Sequence, residues 1–298
     1  MSATNQFQLY AVKSGSTVIH QLADATLSRN VQEIVETPVG GVLPLFTGEV
    51  GQRPDLTFSS HQLKTLVTLL GLLGANTGIV KLFGRKITNK TGSAAIASTT
   101  HASWTSAASM GYLTTITASN RGRASANVRK VFLYDGTNAT IVYSGSASLD
   151  SYTSALEQYI LGGIVLAGSV LDGTNDFTLN LNPQVLEPED DFQYDPTFCA
   201  ITKIEPTIEF STSDPSIWSS NGAAVTNLKV NLLAVKKNGQ RELDADAKHI
   251  VIASTLGQVR CQSIGGTKQM TRVFVRLLSS DNSVSPVTIT TDTAAVSS

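Results

Sequence analysis

The sequence predicts a mostly β fold made of two tandem, related β-sandwich or barrel modules, each with little helix. Three observations carry this expectation. Small and β-branched residues dominate, with 32 Ser and 34 Thr among 298 residues. Apolar runs of strand length alternate with Gly, Asn and Asp turns. The chain also matches itself at a fixed spacing, the mark of an internal repeat. Only 15% of residues are charged, against about 25% in ordinary soluble domains, so the expected surface is neutral and rich in hydroxyls.

Taken along the chain, strands are expected at Gln6–Val12, Thr17–Leu22, Ile79–Phe83, Phe177–Leu181, Ala200–Phe210, His249–Ala253, Val259–Ile264, Thr271–Leu278 and Val287–Thr290. Asp135-Gly136-Thr137-Asn138, between Val128–Tyr134 and Ala139–Tyr143, predicts a hairpin, because Gly accepts the positive φ such a turn needs. Lys237-Asn238-Gly239 after Leu228–Val235 reads the same way. Two helices are expected. His61–Leu73 places Leu63, Leu66, Val67, Leu70 and Leu73 on one face, with Ser59 or Ser60 as cap and Gly74 as stop. A second helix runs from an Asp150 or Ser151 cap through Leu161 to Gly162-Gly163.

The repeat appears without gaps when residues 26–60 are laid over 178–212: 9 of 35 positions are identical, among them Pro44/Pro196, Phe46/Phe198, Pro54/Pro206 and Phe58/Phe210. With short gaps it continues. Val80-Lys81-Leu82 falls over Val230-Asn231-Leu232, Gly111 over Gly257, Arg129–Phe132 over Arg272–Phe274, and Ala139–Val142 over Val287–Thr290. The implied division is a first β module at 1–147, a helical connector at 148–163 and a second β module at 164–298. Two related modules in one chain can stand in for two subunits of a ring, so three chains would present six similar faces.

Composition and motif spacing exclude several functions. A net charge of −1 argues against a dedicated nucleic-acid binder. No apolar run approaches the roughly 20 residues of a membrane span; Leu63–Leu73 is broken by Lys64, Thr65, Thr68 and Gly71. The first residues lack a secretory signal, and two cysteines, Cys199 and Cys261, suit a reducing compartment. His20, His61, His101 and His249 have no metal-ligand spacing with each other or with the cysteines. No nucleophile elbow, phosphate loop or assignable carboxylate pair is present. The expectation is therefore a protein that is not an enzyme and needs no cofactor and no metal.

Two stretches call for a partner. Thr37–Pro54 sets the apolar Val42, Leu43, Leu45 and Phe46 among Pro and Gly, an exposed loop suited to burial against another molecule. Glu187, Glu189, Asp190 and Asp191, with Pro188 among them, form an acidic wall or loop without the alternation or turn Gly of a calcium site.

The Pro-x-Leu-x-Phe-Ser-Ser strand at Pro54–Ser60 running into the helix, the Pro/Gly loop at Thr37–Gln52 and the strand-rich remainder resemble bacteriophage tail tube proteins. Some members of that family fuse two modules. The resemblance implies a duplicated tail-tube-like fold, trimeric pseudo-sixfold rings that stack, other tail proteins as partners, and a bore through which DNA passes without specific binding. It makes Thr37–Gln52 an inter-ring loop and Glu187–Asp195 its counterpart, and it implies assembly in the host cytoplasm with no membrane. A distal tail or hub protein, a capsid-decorating protein and a carbohydrate-binding β-sandwich using Trp104 or Trp218 remain alternatives.

Overall fold

A computed structural model describes residues 6–37, 39, 41, 43–44, 46–71, 76–87, 101–150, 157–187, 194–265, 270–281 and 283–295. The first half contains β1 (Gln6–Ser14), β2 (Thr17–Ile19), β3 (Leu22–Ser28), β4 (Val31–Glu36), β5 (Phe46–Gln52), β6 (Asp55–Ser60), helix α1 (Leu63–Leu70), β7 (Asn76–Thr77), β8 (Val80–Ile87), β9 (His101–Ser106), β10 (Ala108–Ser119), β11 (Ser125–Leu133) and β12 (Val142–Ala147). The second half contains β13 (Tyr159–Leu166), β14 (Ser169–Val170), β15 (Asp176–Asn180), β16 (Pro183–Leu186), β17 (Ala200–Ile204), β18 (Thr207–Thr212), a 3₁₀ turn (Pro215–Ser220), β19 (Ala224–Val225), β20 (Leu228–Ala234), β21 (His249–Ser254), β22 (Gly257–Gly265), β23 (Met270–Leu277) and β24 (Thr288–Thr293).

These strands form antiparallel sheets. A central sheet runs β19-β22-β23-β18-β15-β10-β11-β6-β3, with β7 also on β10. Two five-stranded sheets flank it, β12-β9-β8-β1-β2 and β14-β13-β20-β21-β24, and two hairpins, β4–β5 and β16–β17, stand apart. One buried cluster joins the three main sheets, from Val12 and Leu82 through Leu56 and Phe58 to Phe210, Val230 and Ile252. Alternation explains it: in β6, Leu56, Phe58 and Ser60 turn inward while Thr57 is exposed.

Each strand of the first half has a counterpart twelve strands later with the same pairing. Phe58 lies opposite Val128, and Phe210 opposite Val273. The β10–β11 register breaks after Leu113 and the β22–β23 register after Cys261. His101 Nδ1 accepts the Lys86 N–H at 3.0 Å, and His249 Nδ1 accepts the Ala234 N–H at 3.0 Å. Asn30 and Asn182 both adopt left-handed φ, 47° and 46°, a conformation Asn tolerates. They donate side-chain amides to the carbonyls of Arg53 and Glu205. The ungapped match of 26–60 over 178–212 coincides with this pairing. The gapped matches are displaced: the sheets set Val80 against Leu228, Gly111 against Val259, Arg129 against Phe274 and Val142 against Thr288.

Four local expectations need correction. Ala200–Phe210 is not one strand: the chain breaks at Glu205-Pro206 into β17, paired with β16, and β18, in the central sheet. The hairpin across Asp135–Asn138 does not form: β11 pairs with β10 and β6, whereas β12 pairs with β9 in another sheet. The turn chemistry is present, with Asp135 accepting the N–H groups of Thr137 and Asn138, but it carries the chain between layers. The helical connector fails at its C-terminal part, where Tyr159–Leu161 begin β13 and Gly162-Gly163 sit at a register break between Leu161 and Ile164; residues 151–156 lie outside the described residues. The first helix is shorter than expected and its cap is not Ser59 or Ser60, which belong to β6.

That helix starts at Leu63 because Glu157 caps it from afar, accepting the N–H of Lys64 at 2.7 Å and of Thr65 at 3.2 Å. It stops at Gly71, whose φ of 63° ends the helical path. A carboxylate on otherwise unpaired N–H groups at a helix N-terminus contributes about 1–2 kcal/mol. Glu157→Ala should lower unfolding free energy by about that much, measured by urea denaturation, with Glu157→Gln losing less.

Candidate assembly interface

Glu187 shows how the halves meet. It lies on the β16–β17 hairpin, 3.4 Å from Arg129 on β11, and Arg129 also binds Asp55 at 2.8 Å. Burial pulls the Arg129 pKa down, but the Asp55 hydrogen bond and the neighbouring Tyr112 and Glu187 outweigh it, so the guanidinium stays charged. Glu187 is thus a neutralised joint instead of part of an open acidic wall. Glu189, Asp190 and Asp191 lie outside the described residues.

Around this joint the hairpin of the second half covers the outer face of the first. Met110, Tyr112 and Val131 are buried together with Cys199, packed by Val185 and Ile201. Burial, with Glu187 adding to it, pushes the Cys199 thiol up to about 12, so it sits here as a small apolar group. The segment before β17 fastens to the first half. The carbonyls of Tyr194 and Pro196 accept the N–H groups of Gln52 at 2.9 Å and Tyr134 at 2.8 Å, and Gln52 donates to Asp195 at 2.6 Å.

The central sheet is continuous across the halves because β10 pairs with β15, with Thr115 opposite Asn180, Ile116 opposite Leu179 and Thr117 opposite Thr178. Ile116 and Leu179 are fully buried there. The strands at the two ends of the sheet are their counterparts. Among the described residues, β3 at one end pairs with β6 alone, and at the other β22 carries β19 only at Gly257 and Gln258. Ile264, the counterpart of Ile116, is 54% exposed, and Leu27, the counterpart of Leu179, is only partly buried.

Of the expected loop residues, Leu43 is 72% exposed and Phe46, at the start of β5, 59% exposed; Val42 and Leu45 lie outside the described residues. Part of the expected loop is a strand: Phe46–Gln52 pairs with Val31–Glu36, which precedes the loop, as a hairpin. Ile34, Val35 and Val50 are exposed on it as well.

The solvent side of the central sheet is polar, and around the junction of the halves it is nearly neutral, while Arg260 and Arg276 are exposed on it in the second half. Thr57, Ser59, Thr115, Asn127, Thr178 and Asn180 lie on it, none of them in the core. Asn127 donates to Thr115, and the charge of Arg272 is met by Glu209 at 2.7 Å. Among the described residues no group of His, Cys, Asp and Glu is placed to hold a metal ion, and no helix is long and apolar enough to cross a membrane. No family model and no curated protein sequence matches the chain.

Proposed function

We propose that the chain is a virion structural protein, a tail tube subunit of two duplicated β modules whose rings stack into a conduit for the genome. The observation that carries this reading is the pair of sheet ends just described. The open edge of β3 has the form of the β15 edge that β10 fills, and the open end of β22 has the form of β10. A second copy can therefore add head-to-tail, repeating between chains the junction that exists within one, and such heterologous contacts close into rings. Pairing also removes an exposed strand edge, which is otherwise a site of uncontrolled aggregation.

Each chain brings eight main strands to the central sheet, β3, β6, β11, β10, β15, β18, β23 and β22. Three chains, one for each pair of modules, make a pseudo-sixfold ring. At about 4.8 Å between strands and a tilt near 40°, its closed sheet is about 48 Å across the backbone. That leaves a water-filled channel wide enough for a nucleic-acid duplex. The hydroxyl and amide face of Thr57, Asn127 and Thr178 lines it in this arrangement. Arg129 and Arg272 on this face are met by Asp55, Glu187 and Glu209, which limits the phosphate binding by Lys and Arg that makes nucleic acid stick; Arg260 and Arg276 are its exposed cations. No reaction is required of any residue, and the exposed Leu43 and Phe46 are placed for contact between rings.

Negative-stain electron microscopy of the purified protein is expected to show rings and tubes of constant width. Only a monomer at high protein concentration, by sedimentation and by imaging, would count against the reading. Single rings that never stack would favour a distal tail or hub position.

A further inference from the structure

On the solvent side of the central sheet β16–β17 cover the Met110–Val131 end of the first half, whereas among the described residues the matching end of the second half is bare. Beside it runs a groove of about 670 Å³ between Ile204–Pro206 and Arg276–Ser279. In the first half the corresponding strip, Gln52–Pro54 and Phe132–Tyr134, is where the Tyr194–Pro196 segment fastens. The counterpart of that segment and of β16–β17 is the loop ending at Pro44 and the projecting β4–β5 hairpin. The two hairpins share their register: Glu33 lies opposite Glu49 as Val185 lies opposite Ile201.

The residues that would meet are complementary in an inverted way. Within the chain, Tyr112 and Val131 meet Val185 and Ile201, an apolar contact. Their counterparts are Arg260 and Arg276 on the bare face and Glu33 and Glu49 on the hairpin, all four exposed, with Glu49 accepting the Tyr194 hydroxyl of its own chain and Arg276 near Glu205. Within the chain, Arg129 meets Glu187. Their counterparts are Phe274, half-buried, and Val35, 57% exposed. Where one junction is apolar the other is oppositely charged, and where one is an ion pair the other is apolar.

We infer that this face seats the β4–β5 hairpin of a second copy of the chain, with Arg260 and Arg276 against Glu33 and Glu49 and Phe274 against Val35. The inference rests on the head-to-tail assembly proposed above and supplies its recognition. The apolar junction holds the halves of one chain together, while the charged junction between chains is reversible and weakened by salt. The swap also disfavours docking on the wrong face, since Glu33 and Glu49 would face the apolar Tyr112 and Val131, and Val35 would stand against Arg129 in place of Glu187.

The test is sedimentation velocity at low salt on Arg260→Glu/Arg276→Glu, on Glu33→Arg/Glu49→Arg and on the four changes combined. All four positions are exposed, and circular dichroism checks that each variant is folded. Each pair alone should raise the concentration at half assembly at least about tenfold, and the combination should return it most of the way. Folded variants that assemble like the wild type, or a combination that restores nothing, would overturn the seat while leaving the tube reading intact. A wild-type chain that never assembles would overturn both. Closed rings that never stack, but respond to the substitutions as described, would support the seat and count against the tube.

Discussion

Ala25→Pro is expected to leave the chain folded and to stop it adding to another copy. In the junction between halves, Leu181 donates its N–H to Thr114, a pairing that turns the N–H groups of Phe177 and Leu179 toward β10. Their counterparts in β3 are Ala25 and Leu27, whose N–H groups face the open edge, whereas Thr26 faces β6. Proline removes one edge donor and no bond inside the subunit, and edge strands tolerate it in that position. The thermal midpoint should fall by no more than a few degrees for this edge change. Assembly should fail at concentrations where the wild type is fully assembled. Ile264→Asp, at the other end of the sheet, should give the same phenotype by placing a charge where Ile116 is buried in the internal junction. Light scattering with thermal unfolding separates the two effects, and assembly by both folded variants at wild-type concentration would contradict edge pairing.

The second large effect concerns Lys130, which is fully buried in β11 and reaches across to donate to Ser14 Oγ on β1 at 2.8 Å. Desolvation pushes its pKa down to about 8 from an ordinary value of 10.5. A lysine whose pKa is lowered on folding costs stability wherever it is protonated in both states. The penalty is therefore complete below about pH 8 and fades between about pH 8 and 10.5, where the unfolded chain binds the extra proton. That span corresponds to about 3 kcal/mol. Lys130→Met should stabilise the protein at pH 7 by about 2–3 kcal/mol, less whatever Ser14 loses. The gap between the two proteins should narrow as pH rises from 7.5 to about 9.5, because only the wild type is relieved of its penalty there. A variant no more stable than wild type at pH 7 would contradict the account.

Gly111 belongs to the same packing unit. A Cβ placed there would come within 2.8–2.9 Å of Lys130 side-chain atoms. In the second half the matching cross-strand pair is Val259 with Val275, so bulk lost at one position is gained at the other. Gly111→Ala should accordingly destabilise the wild type by about 1–3 kcal/mol and cost much less beside Lys130→Val.

What the sequence discloses here follows from the range of the forces involved. The Pro54–Ser60 strand and its partner at 206–212 are legible because alternation along one strand is a local property. The apolar face of α1 is legible too: Leu63, Leu66, Val67 and Leu70 are all buried. Its start is hidden because the capping carboxylate of Glu157 is 93 residues from Lys64. The Asp135 turn is correctly read as a turn and wrongly as a hairpin, since turn chemistry does not choose which strand β12 will pair with. β10 leaves no clean alternating signal, because Ser109–Leu113 are buried on both faces of the sheet. The exposed Leu43 and Phe46 could be anticipated from apolar residues among Pro and Gly. The Arg129–Glu187 joint, the buried Lys130 and the two open sheet ends could not, because each depends on strand order. The gapped part of the repeat slips by two residues or more where loops of unequal length separate the strands, as between β10 and β11.

The most direct measurement is a cryo-electron microscopy map of the assembled chain, resolved well enough to trace β3 and β22 where two subunits meet. The expected result is an antiparallel junction with Ser28 opposite Ser263, Leu27 opposite Ile264 and Thr26 opposite Gly265, the internal β10–β15 register repeated between chains. An assembly in which the β3 edge stays open to solvent, or meets β3 of another copy, would contradict it.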